Sequence, residues 1–328
     1  MVERLLLLVN RSSGTGHGPA LAVQLSNQLR KTEPTAEMDV EVVDDHPSAR
    51  RVARSFVGAS QRPAALIVAG GGGTLRAVVE GVCDDAGRVL PDASRIRLAA
   101  LRMGSGNVVA RRLGVALDAL EGIHGIAASL RSGRTTACSV IRCRFGTATG
   151  AEQVRYAVTM CGVGQFGRTP GDLARWHRRF EEARRALAPL LGIEKLNNVE
   201  YMLSAGGRMF AATLHPPLCE RVEVTIRGHT ERFRLLAGAV MNLPVNGMPF
   251  GAGVRMEEAA VGVRLLPWGG RLRAWRLGLG ERLDLTLLDR ESVEFFLDED
   301  PELAFGRLSL EVAGTLAFVR GSVEEVIA

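Results

Sequence analysis

Short apolar runs alternate with amphipathic segments through the first third of the chain. Four runs have the length of strands, at Leu5–Asn10, Met38–Val43, Ala64–Ala69 and Ile96–Leu101. After Pro19, Pro47 and Leu75, in contrast, apolar residues recur at the three- and four-residue spacing of a helix. Strands that alternate with helices favour an α/β domain whose parallel sheet carries helices on both faces.

The pattern changes after Gly133, where strand-like segments follow one another with few helices between them. These segments are Ala137–Arg144, Val154–Met160, Val222–Ile226, Phe233–Val240, Arg282–Leu288, Val293–Leu297 and Leu308–Val312. Such a series favours a mostly antiparallel β domain, built as a sandwich or a barrel. We therefore predict an α/β domain over residues 1–133 and a β-rich domain over residues 134–313.

A run of four glycines links the third predicted strand to the helix that follows it. Glycine allows positive φ and a close approach of a ligand to the backbone, and a helix N-terminus presents unpaired N–H groups. A phosphate is the guest that this chemistry suits, although a tight turn alone would also use glycine. No Gly-Lys-Ser/Thr follows, and Arg76 replaces the third glycine of GxGxxG, so the two commonest nucleotide motifs are excluded.

Two more polar, glycine-rich loops follow predicted strands, at Arg11–Gly18 and at Met103–Gly114. Ligands of parallel sheets bind beyond the carboxyl ends of the strands, and all three loops fall there. Asn107 or Ser105 could instead simply cap the next helix. Because three loops share one chemistry at one edge, we predict that together they bind a nucleotide.

The amino-acid composition indicates the class of protein, the charge of its partner and its compartment. The chain has 328 residues, 46% apolar content and a net charge of +5 carried mainly by arginine, which suits two globular domains and an anionic partner. Its five cysteines show no paired spacing, so reduced thiols in a cytoplasmic protein are expected, with no zinc site. No apolar run approaches the roughly 18 residues of a membrane span, so membrane contact would be peripheral, at the inner surface.

Several motifs resemble those of the diacylglycerol kinase catalytic family, which includes sphingosine kinases and bacterial lipid kinases. Asn10–Gly14 (NRSSG) resembles NPxSG, Gly70–Thr74 (GGGGT) resembles GGDGT, and Gly104–Asn107 (GSGN) resembles GTGN. The likeness continues into the second half of the chain. It is found at Cys161–Gly167 (CGVGQFG), at Asn242 with Gly247, Gly251 and Gly253, and at Phe296–Asp300, which resembles a DGE segment.

The resemblance implies a Rossmann-like first domain of the NAD kinase and diacylglycerol kinase type, with residues of about 314–328 packing back onto it through a strand near Leu316–Val319. It implies transfer of the γ-phosphoryl group of ATP to a lipid hydroxyl, with a nucleotide and a lipid at a membrane surface as partners. The implied nucleotide contacts are Asn10, Ser13, Gly14, Gly70, Gly71, Gly72, Gly73, Thr74, Leu75, Arg76, Gly104, Ser105, Gly106 and Asn107.

The resemblance also implies a general base in the DGE-like segment. Asp300 takes that role by position, with Asp298 as the neighbouring candidate, because phosphoryl transfer needs a carboxylate near the attacking hydroxyl. The alternative is that the segment from Asp298 to Glu302 is an acidic surface turn.

Several family acids are missing, and this places the usual magnesium ion in doubt. The acid of GGDGT is Gly72 here, the acid after GTGN is Val108, and the late Asp-Gly pair is Val261-Gly262. Magnesium sites are built from carboxylates. Glu257 and Glu258 lie close in sequence to the missing pair and are the substitutes that we consider.

An amphipathic, arginine-rich helix is predicted between Gly167 and Gly192. Its apolar positions are Leu173, Trp176, Phe180, Ala183, Leu187 and Leu190, and its basic positions are Arg175, Arg178, Arg179, Arg184 and Arg185. The helix either packs on its own domain or contacts anionic lipid headgroups. Trp268, Arg271, Arg273, Trp275 and Arg276 would strengthen a lipid surface, and no nucleic-acid motif accompanies these residues.

Three functions stay open from the sequence: an ATP-dependent lipid kinase, a relative that binds nucleotide or lipid without catalysis, and a soluble-substrate kinase of the NAD kinase type. The basic helix and the length of the resemblance favour the first two. The sequence leaves the oligomeric state open.

Overall fold

The computed structural model describes residues 2–13, 18–84, 88–104, 107–183, 186, 193–242, 253–298 and 300–322. The chain divides into two compact units, one of residues 1–139 with 314–328 and the other of residues 140–313. The composition shift near Gly133 precedes this division by a few residues. Gly133 ends a helix with φ of 71°, and the next strand crosses the division without a break.

The first unit alternates strands and helices. Its elements are β1 Arg4–Asn10, α1 Gly18–Thr32, β2 Glu37–Val43, α2 His46–Ala59, β3 Ala64–Ala69, α3 Gly72–Gly81, β4 Ile96–Ala100, α4 Val108–Arg112 and α5 Ala119–Ser132. The four strands agree with the apolar runs to within one residue at either end. Helices α1, α2 and α3 begin close to where the three- and four-residue spacing predicts them, whereas α5 was not predicted.

The sheet of the first unit is parallel. β1 lies between β2 and β3, with Leu7 opposite both Val40 and Ile67, and β4 pairs with β3 on its other side. Residues 317–318, from the end of the last strand, pair in parallel with β4. β3 is buried along its whole length, as expected for a strand covered on both faces.

The C-terminal segment around residues 320–321 is held in the first unit by backbone hydrogen bonds. The amide of Arg320 donates to the carbonyl of Arg134, and the amide of Gly321 donates to the carbonyl of Leu113. A Cβ on Gly321 would lie 1.9 Å from the carbonyl oxygen of Gly114. Only glycine therefore fits at this closing position.

The second unit is built mainly of strands. Its elements are β5 Thr135–Gly146, β6 Glu152–Ala157, β7 Met160–Val163, α6 Gly164–Gly167, α7 Thr169–Arg179, α8 Ile193–Leu214, β8 Glu220–Ile226, β9 His229–Met241, β10 Ala260–Pro267, β11 Arg273–Gly278, β12 Arg282–Leu287, β13 Ser292–Leu297 and β14 Asp300–Val319, with β5 and β14 shared between the units. Its pairs are antiparallel, including β8 with β9, β9 with β10, β12 with β8 and β13 with β14. The predicted antiparallel character is confirmed.

The core of the second unit comes from side chains that alternate along these strands. Phe145 of β5 and Phe295 of β13 meet edge to face, with ring centroids 5.0 Å apart. Val224, Leu285 and Leu310 are almost fully buried in the same cluster. Period-two burial explains why short segments of this half were recognisable as strands.

Two predictions in the second unit are wrong. The single strand predicted over Val154–Met160 is two strands, because the chain turns at Val158 and Thr159. The helix predicted from Gly167 to Gly192 is interrupted at Phe180, which leaves the helical conformation with φ of −122°, and residues 181–183 are helical again.

Four elements of the second unit were not predicted, namely α6, α8, β10 and β11. Gly206 and Gly207 lie in the middle of α8 and weaken its helical pattern. Gly262 interrupts the apolar run of β10 in the same way. Within the described ranges, no helix has both the length and the apolar character that crossing a bilayer requires.

Candidate active site

The first two glycine-rich turns are joined by side-chain hydrogen bonds. Asn10, at the end of β1, is buried, and its Nδ2 donates to Oγ1 of Thr74 at 2.7 Å. The backbone amide of Gly71 donates to Oγ of Ser13 at 3.2 Å. The turn after β1 is therefore fastened to the turn after β3.

The third turn touches the second through backbone. A Cβ on Gly104 would lie 2.9 Å from the Cα of Gly71 and 3.5 Å from the amide nitrogen of Gly72. Oδ1 of Asn107 accepts from the amide of Gly104 at 2.8 Å and closes the turn on itself. All three turns thus meet at one edge of the first unit.

Asn107 does not act as the side-chain cap that the sequence allowed. It occupies the N-cap position of α4 with φ of 47°, and its side chain makes no capping bond within the described chain. The reason is that its carboxamide oxygen is used by Gly104. Three of the predicted contacts, Gly14, Ser105 and Gly106, lie outside the described residues.

The N-terminus of α3 is open to a ligand. Gly71 is the N-cap residue, and no side chain of the described ranges caps the helix there. Gly72 is exposed, and a Cβ on it would meet nothing within 4 Å. The first amides of a helix have no partner in the helix, and the helix dipole adds partial positive charge. This end of α3 therefore suits an anion such as a phosphate.

The residues that directly follow the four glycines are mostly buried. Thr74, Leu75 and Arg76 are only 2%, 5% and 8% exposed. Thr74 uses its hydroxyl to accept from Asn10, and Arg76 has contacts of its own. The amide of Leu75 donates to the carbonyl of Gly71 at 3.1 Å, so Leu75 offers a ligand neither amide nor side chain. Leu75 is a packing residue, and we leave it out of the candidate site.

The described residues contain no ready-made cluster of metal ligands. Among the described residues, no group of three His, Cys, Asp or Glu side chains is placed to hold a metal. Glu258 lies 3.1 Å from Nη2 of Arg276 and 3.5 Å from Nε of Arg255, so its charge is already paired. Glu257 is exposed, and Val261 is buried in β10.

Asp298 is buried and is not part of an acidic surface turn. Its two carboxylate oxygens accept from the amides of Val158, Thr159 and Met160 and from the hydroxyl of Thr159, at 2.5 to 3.1 Å. Its φ of 50° is a left-handed conformation that few residues adopt. Burial raises the pKa of Asp298, and the four hydrogen bonds oppose that rise.

The turn that Asp298 binds is also held by Asn242. Nδ2 of the Asn242 side chain donates to the carbonyl of Val158 at 2.5 Å, and the backbone amide of Asn242 donates to the carbonyl of Thr159 at 3.1 Å. This explains the break between β6 and β7. Gly247 and Gly251, which belong to the same sequence resemblance, lie outside the described residues, and Gly253 has φ of 62°.

Asp300 begins β14 and pairs across the hairpin with Leu297 of β13. Glu299, between the two aspartates, lies outside the described residues. Asp298 and Asp300 belong to the second unit, whereas the three glycine-rich turns belong to the first.

Helices α7 and α8 line an open cavity of about 770 Å³ within the second unit. Its walls include Leu173, Trp176, Phe180, Glu200 and Leu203. The rings of Trp176 and Phe180 lie 4.5 Å apart, and both side chains are also partly exposed. The cavity is thus mainly apolar and open to solvent.

Asp172 ties the two helices together beside this cavity. Nη2 of Arg208 donates to Asp172 at 2.7 Å, Nε of Arg208 makes a second bond, and Arg175 also donates to it. Burial raises the pKa of Asp172, but the hydrogen bonds from Arg208 and Arg175 outweigh it and hold the pKa below its ordinary value.

The predicted lipid-contact residues differ in exposure. Trp176 and Trp268 are 53% and 40% exposed, and Arg178 and Arg179 are exposed at the end of α7. Trp275 is half-buried and packs against the core of the second unit, so it offers little to a membrane. Arg184, Arg185, Leu187 and Leu190 lie outside the described residues.

Sequence reasoning missed the exposed apolar face of α8. Its members are Val199, Met202, Leu203, Phe210 and Leu214, each more than half exposed. They follow the three- and four-residue spacing of a helix, which was the signal available in the sequence. Nε1 of Trp268 donates to the carbonyl of Thr213 at 3.1 Å and places that tryptophan beside the end of this face.

The family model of the diacylglycerol kinase catalytic domain matches residues 4–143. The matched segment is somewhat less than half of the chain. The match contains all three glycine-rich turns and ends within β5.

Three solved structures from Bacillus anthracis strain Sterne resemble the chain. Two are provisionally named diacylglycerol kinases, both 15% identical, with TM-scores of 0.66 and 0.63; they align with 98% of this chain and with 96% and 99% of their own. A third, named a diacylglycerol kinase, is 14% identical with a TM-score of 0.59, over 98% of this chain and 97% of its own. At these identities the likeness shows a shared fold. No curated protein matches the sequence significantly.

Gly70 and Gly72, in the turn between β3 and α3, should respond oppositely to replacement by alanine. In Gly70→Ala the new Cβ would lie 2.7 to 2.8 Å from three side-chain atoms of Thr74, so we expect a loss of about 1–3 kcal/mol. In Gly72→Ala the methyl group meets open space in a helix, so we expect a gain of up to about 1 kcal/mol. Urea unfolding of both variants measures these changes in the free energy of unfolding. If alanine destabilised both variants, or stabilised both, the described turn would be contradicted.

Replacing Asp298 should weaken the turn between β6 and β7. In Asp298→Asn, which tolerates the left-handed backbone, an NH₂ group would face amide donors, and we expect destabilisation by about 3 kcal/mol or more. The control is Asp289→Asn, since Asp289 accepts one bond from the amide of Arg221 at 3.0 Å; its cost should stay near 1 kcal/mol. Similar urea midpoints for the two variants would refute the assigned role.

Proposed function

We propose that this protein is an ATP-dependent lipid kinase, which transfers the γ-phosphoryl group to a lipid hydroxyl such as that of diacylglycerol. The observation that carries the proposal is the meeting of three glycine-rich turns at the uncapped N-terminus of α3. The family match of residues 4–143 supports the same reaction class. We assign the first unit a Rossmann-like fold of the NAD kinase and diacylglycerol kinase type.

In this proposal the first unit binds ATP through backbone. The amides at the start of α3 hold phosphate oxygens, and Asn10 and Ser13 keep the neighbouring turn in place. Gly104 and Asn107 supply the third side of the nucleotide site. Phosphoryl transfer depends mostly on positioning and on electrostatic stabilisation, and a rigid set of amides supplies both.

In the second unit we assign Asp300 as the general base. Its carboxylate would take the proton of the acceptor hydroxyl while the oxygen attacks phosphorus. We assign Asp298 a positioning role, because its carboxylate is already occupied by three amides and a hydroxyl. Within the described residues, no group of three metal-ligating side chains supports a metal ion held by the protein alone.

A second candidate is a relative that binds nucleotide or lipid with little or no catalysis. It is favoured by the lack of an acid in the sequence at positions where the resemblance implies one. Gly72 stands where relatives carry an acid, and the space beside it is open. The lipid kinase is preferred because the described parts of the three turns meet at the N-terminus of α3. The NAD kinase type is less well supported, because the exposed apolar face of α8 suits a lipid and not a soluble acceptor.

We assign lipid contact to the second unit. The cavity between α7 and α8 offers an apolar volume of about 770 Å³ for part of an acyl chain. The apolar face of α8 with Trp176 and Trp268 would enter the interfacial region, while Arg178 and Arg179 would meet anionic headgroups. The protein would then be cytoplasmic, with peripheral contact at the inner membrane surface.

A radiolabel transfer assay tests the proposed reaction. Purified protein is incubated with γ-labelled ATP, magnesium and diacylglycerol in mixed micelles. We expect label in the lipid for the wild type, and a loss of about 100-fold or more in Asp300→Asn, because a general base contributes roughly that factor. Glu152→Gln is the control, since Glu152 is an exposed acid of the same unit with only a 3.6 Å ion pair.

Each outcome of that assay decides between the candidates. Transfer that Asp300→Asn retains would contradict the assigned base. ATP-induced thermal stabilisation without any transfer would favour the non-catalytic relative over the kinase.

A vesicle assay tests the membrane surface. Phe210 and Leu214 are 67% and 70% exposed on α8, and burying such side chains is worth about 1.5–3 kcal/mol each. We expect Phe210→Ser with Leu214→Ser to lower co-sedimentation with anionic vesicles by about tenfold or more. Leu117→Ser, 63% exposed in the first unit, is the matched control. Equal sedimentation of all variants would argue against α8 as the docking face.

A further inference from the structure

The wall of the cavity between α7 and α8 has an apolar part and a charged part. The apolar part consists of Leu173, Trp176, Phe180 and Leu203, and four charged side chains lie around it. Leu173, Trp176 and Phe180 recur three and four positions apart, so α7 turns one face toward the cavity. An apolar wall with a few polar groups is typical of a small-molecule site.

The volume of the cavity suits one long acyl chain. A cavity of about 150 Å³ holds a benzene molecule, which corresponds to roughly 25 Å³ for each heavy atom. At that ratio the cavity, with about 770 Å³, holds roughly 30 heavy atoms. This number is enough for one long chain with its head group, but it is too small for the two long chains of a diacyl lipid.

Both acids of the wall are already engaged in hydrogen bonds. Asp172 accepts from Nη2 of Arg208 at 2.7 Å and also from Arg175. An oxygen of Glu200 lies 2.8 Å from Nε2 of His177. A cationic head group would therefore compete with existing partners for either carboxylate.

Arg179 is the cation of the wall that has no acidic partner within the described part of the chain. Its guanidinium carbon lies 5.7 Å from the ring centroid of Phe180, and the rings of Phe180 and Trp176 are 4.5 Å apart. This contact holds the positive charge beside the apolar surface. A guanidinium binds a carboxylate or a phosphate through two parallel hydrogen bonds. The cavity therefore combines an apolar volume with a positive charge that is available to an anion.

The cavity opens beside the exposed apolar face of α8. Leu203 belongs to both surfaces, since it lines the cavity and is 71% exposed. Trp176, on the opposite helix, also lines the cavity and is 53% exposed. A lipid can thus pass from a bilayer at this face into the cavity while its chain stays in contact with apolar side chains.

The cavity and Asp300 lie on opposite faces of the hairpin formed by β13 and β14. Phe296 packs with Phe166 and with Tyr201 of α8, whereas the next residue, Leu297, belongs to the other core cluster of the unit. Asp300 pairs directly with Leu297, and directly opposed residues of an antiparallel pair share a face. A ligand in the cavity is therefore not presented to Asp300.

We propose that the cavity between α7 and α8 binds a single-chain lipid with an anionic head group, whose chain lies along Leu173, Trp176 and Leu203 and whose head group is bound by Arg179. The head group is a carboxylate or a phosphate, because a guanidinium suits both. The site goes beyond the proposed function, since its occupant is not the acceptor of the phosphoryl group. Binding requires neither ATP nor catalysis.

The experiment is calorimetric titration of the full chain, without nucleotide, with four probes that share a ten-carbon chain. The probes are decanoate, decyl phosphate, decanol and decyltrimethylammonium, each below its micelle concentration. We expect at least one of the two anions to bind about tenfold more tightly than decanol, since it gains a hydrogen bond to a charged group. The ammonium probe should bind no more tightly than decanol. The tighter of the two anions identifies the head group.

Two variants test the two parts of the site separately. Arg179→Gln should weaken binding of the preferred anion about tenfold and leave decanol unchanged, because only the charged partner is lost. Ser204→Phe places a large side chain on the α8 wall and should weaken both probes by about tenfold or more. Arg232→Gln is the matched control, since Arg232 is exposed on β9, pairs with Glu223 at 2.7 Å and does not line the cavity.

The outcomes separate this site from the proposed kinase. Anions that bind no more tightly than decanol overturn the inference, as does anion affinity that Arg179→Gln retains. Unchanged binding in a folded Ser204→Phe variant places the ligand elsewhere and also overturns it. Each of these results leaves the proposed function standing. Anion binding as expected, together with no transfer of label in the micelle assay, supports the site and contradicts the kinase alone.

Discussion

The backbone of Gly104 lies so close to that of Gly71 that a side chain at Gly104 is excluded. A Cβ there would be 2.9 Å from the Cα of Gly71. Backbone cannot move aside as a flexible side chain can, because both turns continue strands of one parallel sheet. The hydrogen bond from Asn10 to Thr74 adds the turn after β1 to this arrangement. The candidate site is therefore a surface of backbone amides, and its shape depends on the sheet below it.

The second unit contains a comparable constraint in Asp298. One buried carboxylate collects the amides of three consecutive residues, and Asn242 binds the carbonyl side of the same turn. These bonds connect the end of β13 to the β6–β7 turn and to the end of β9. The left-handed φ of Asp298 is the conformational cost of that arrangement. A residue that looks catalytic by position is thus explained by the hydrogen bonds that it makes.

Phosphate binding and metal binding are separable in this architecture. Amides at the start of a helix bind an anion whatever side chains surround them, whereas a magnesium site needs particular carboxylates. The chain keeps the glycines that shape the turns and has Gly72, Val108 and Val261 at the positions of family acids. The proposed nucleotide site does not depend on a metal site, and this is why binding and catalysis require separate experiments.

The sequence by itself determined the strands of the first unit and the three turns after them. Ala64–Ala69 is recognisable because a strand covered on both faces is apolar throughout, and the glycines after it because few other residues suit such a turn. Tertiary structure alone decided the rest. The break at Val158 depends on a carboxylate 140 residues away, and Asp298 is buried although its neighbours in sequence are acidic. Such contacts join residues that are distant in the chain, so the local pattern of the sequence does not predict them.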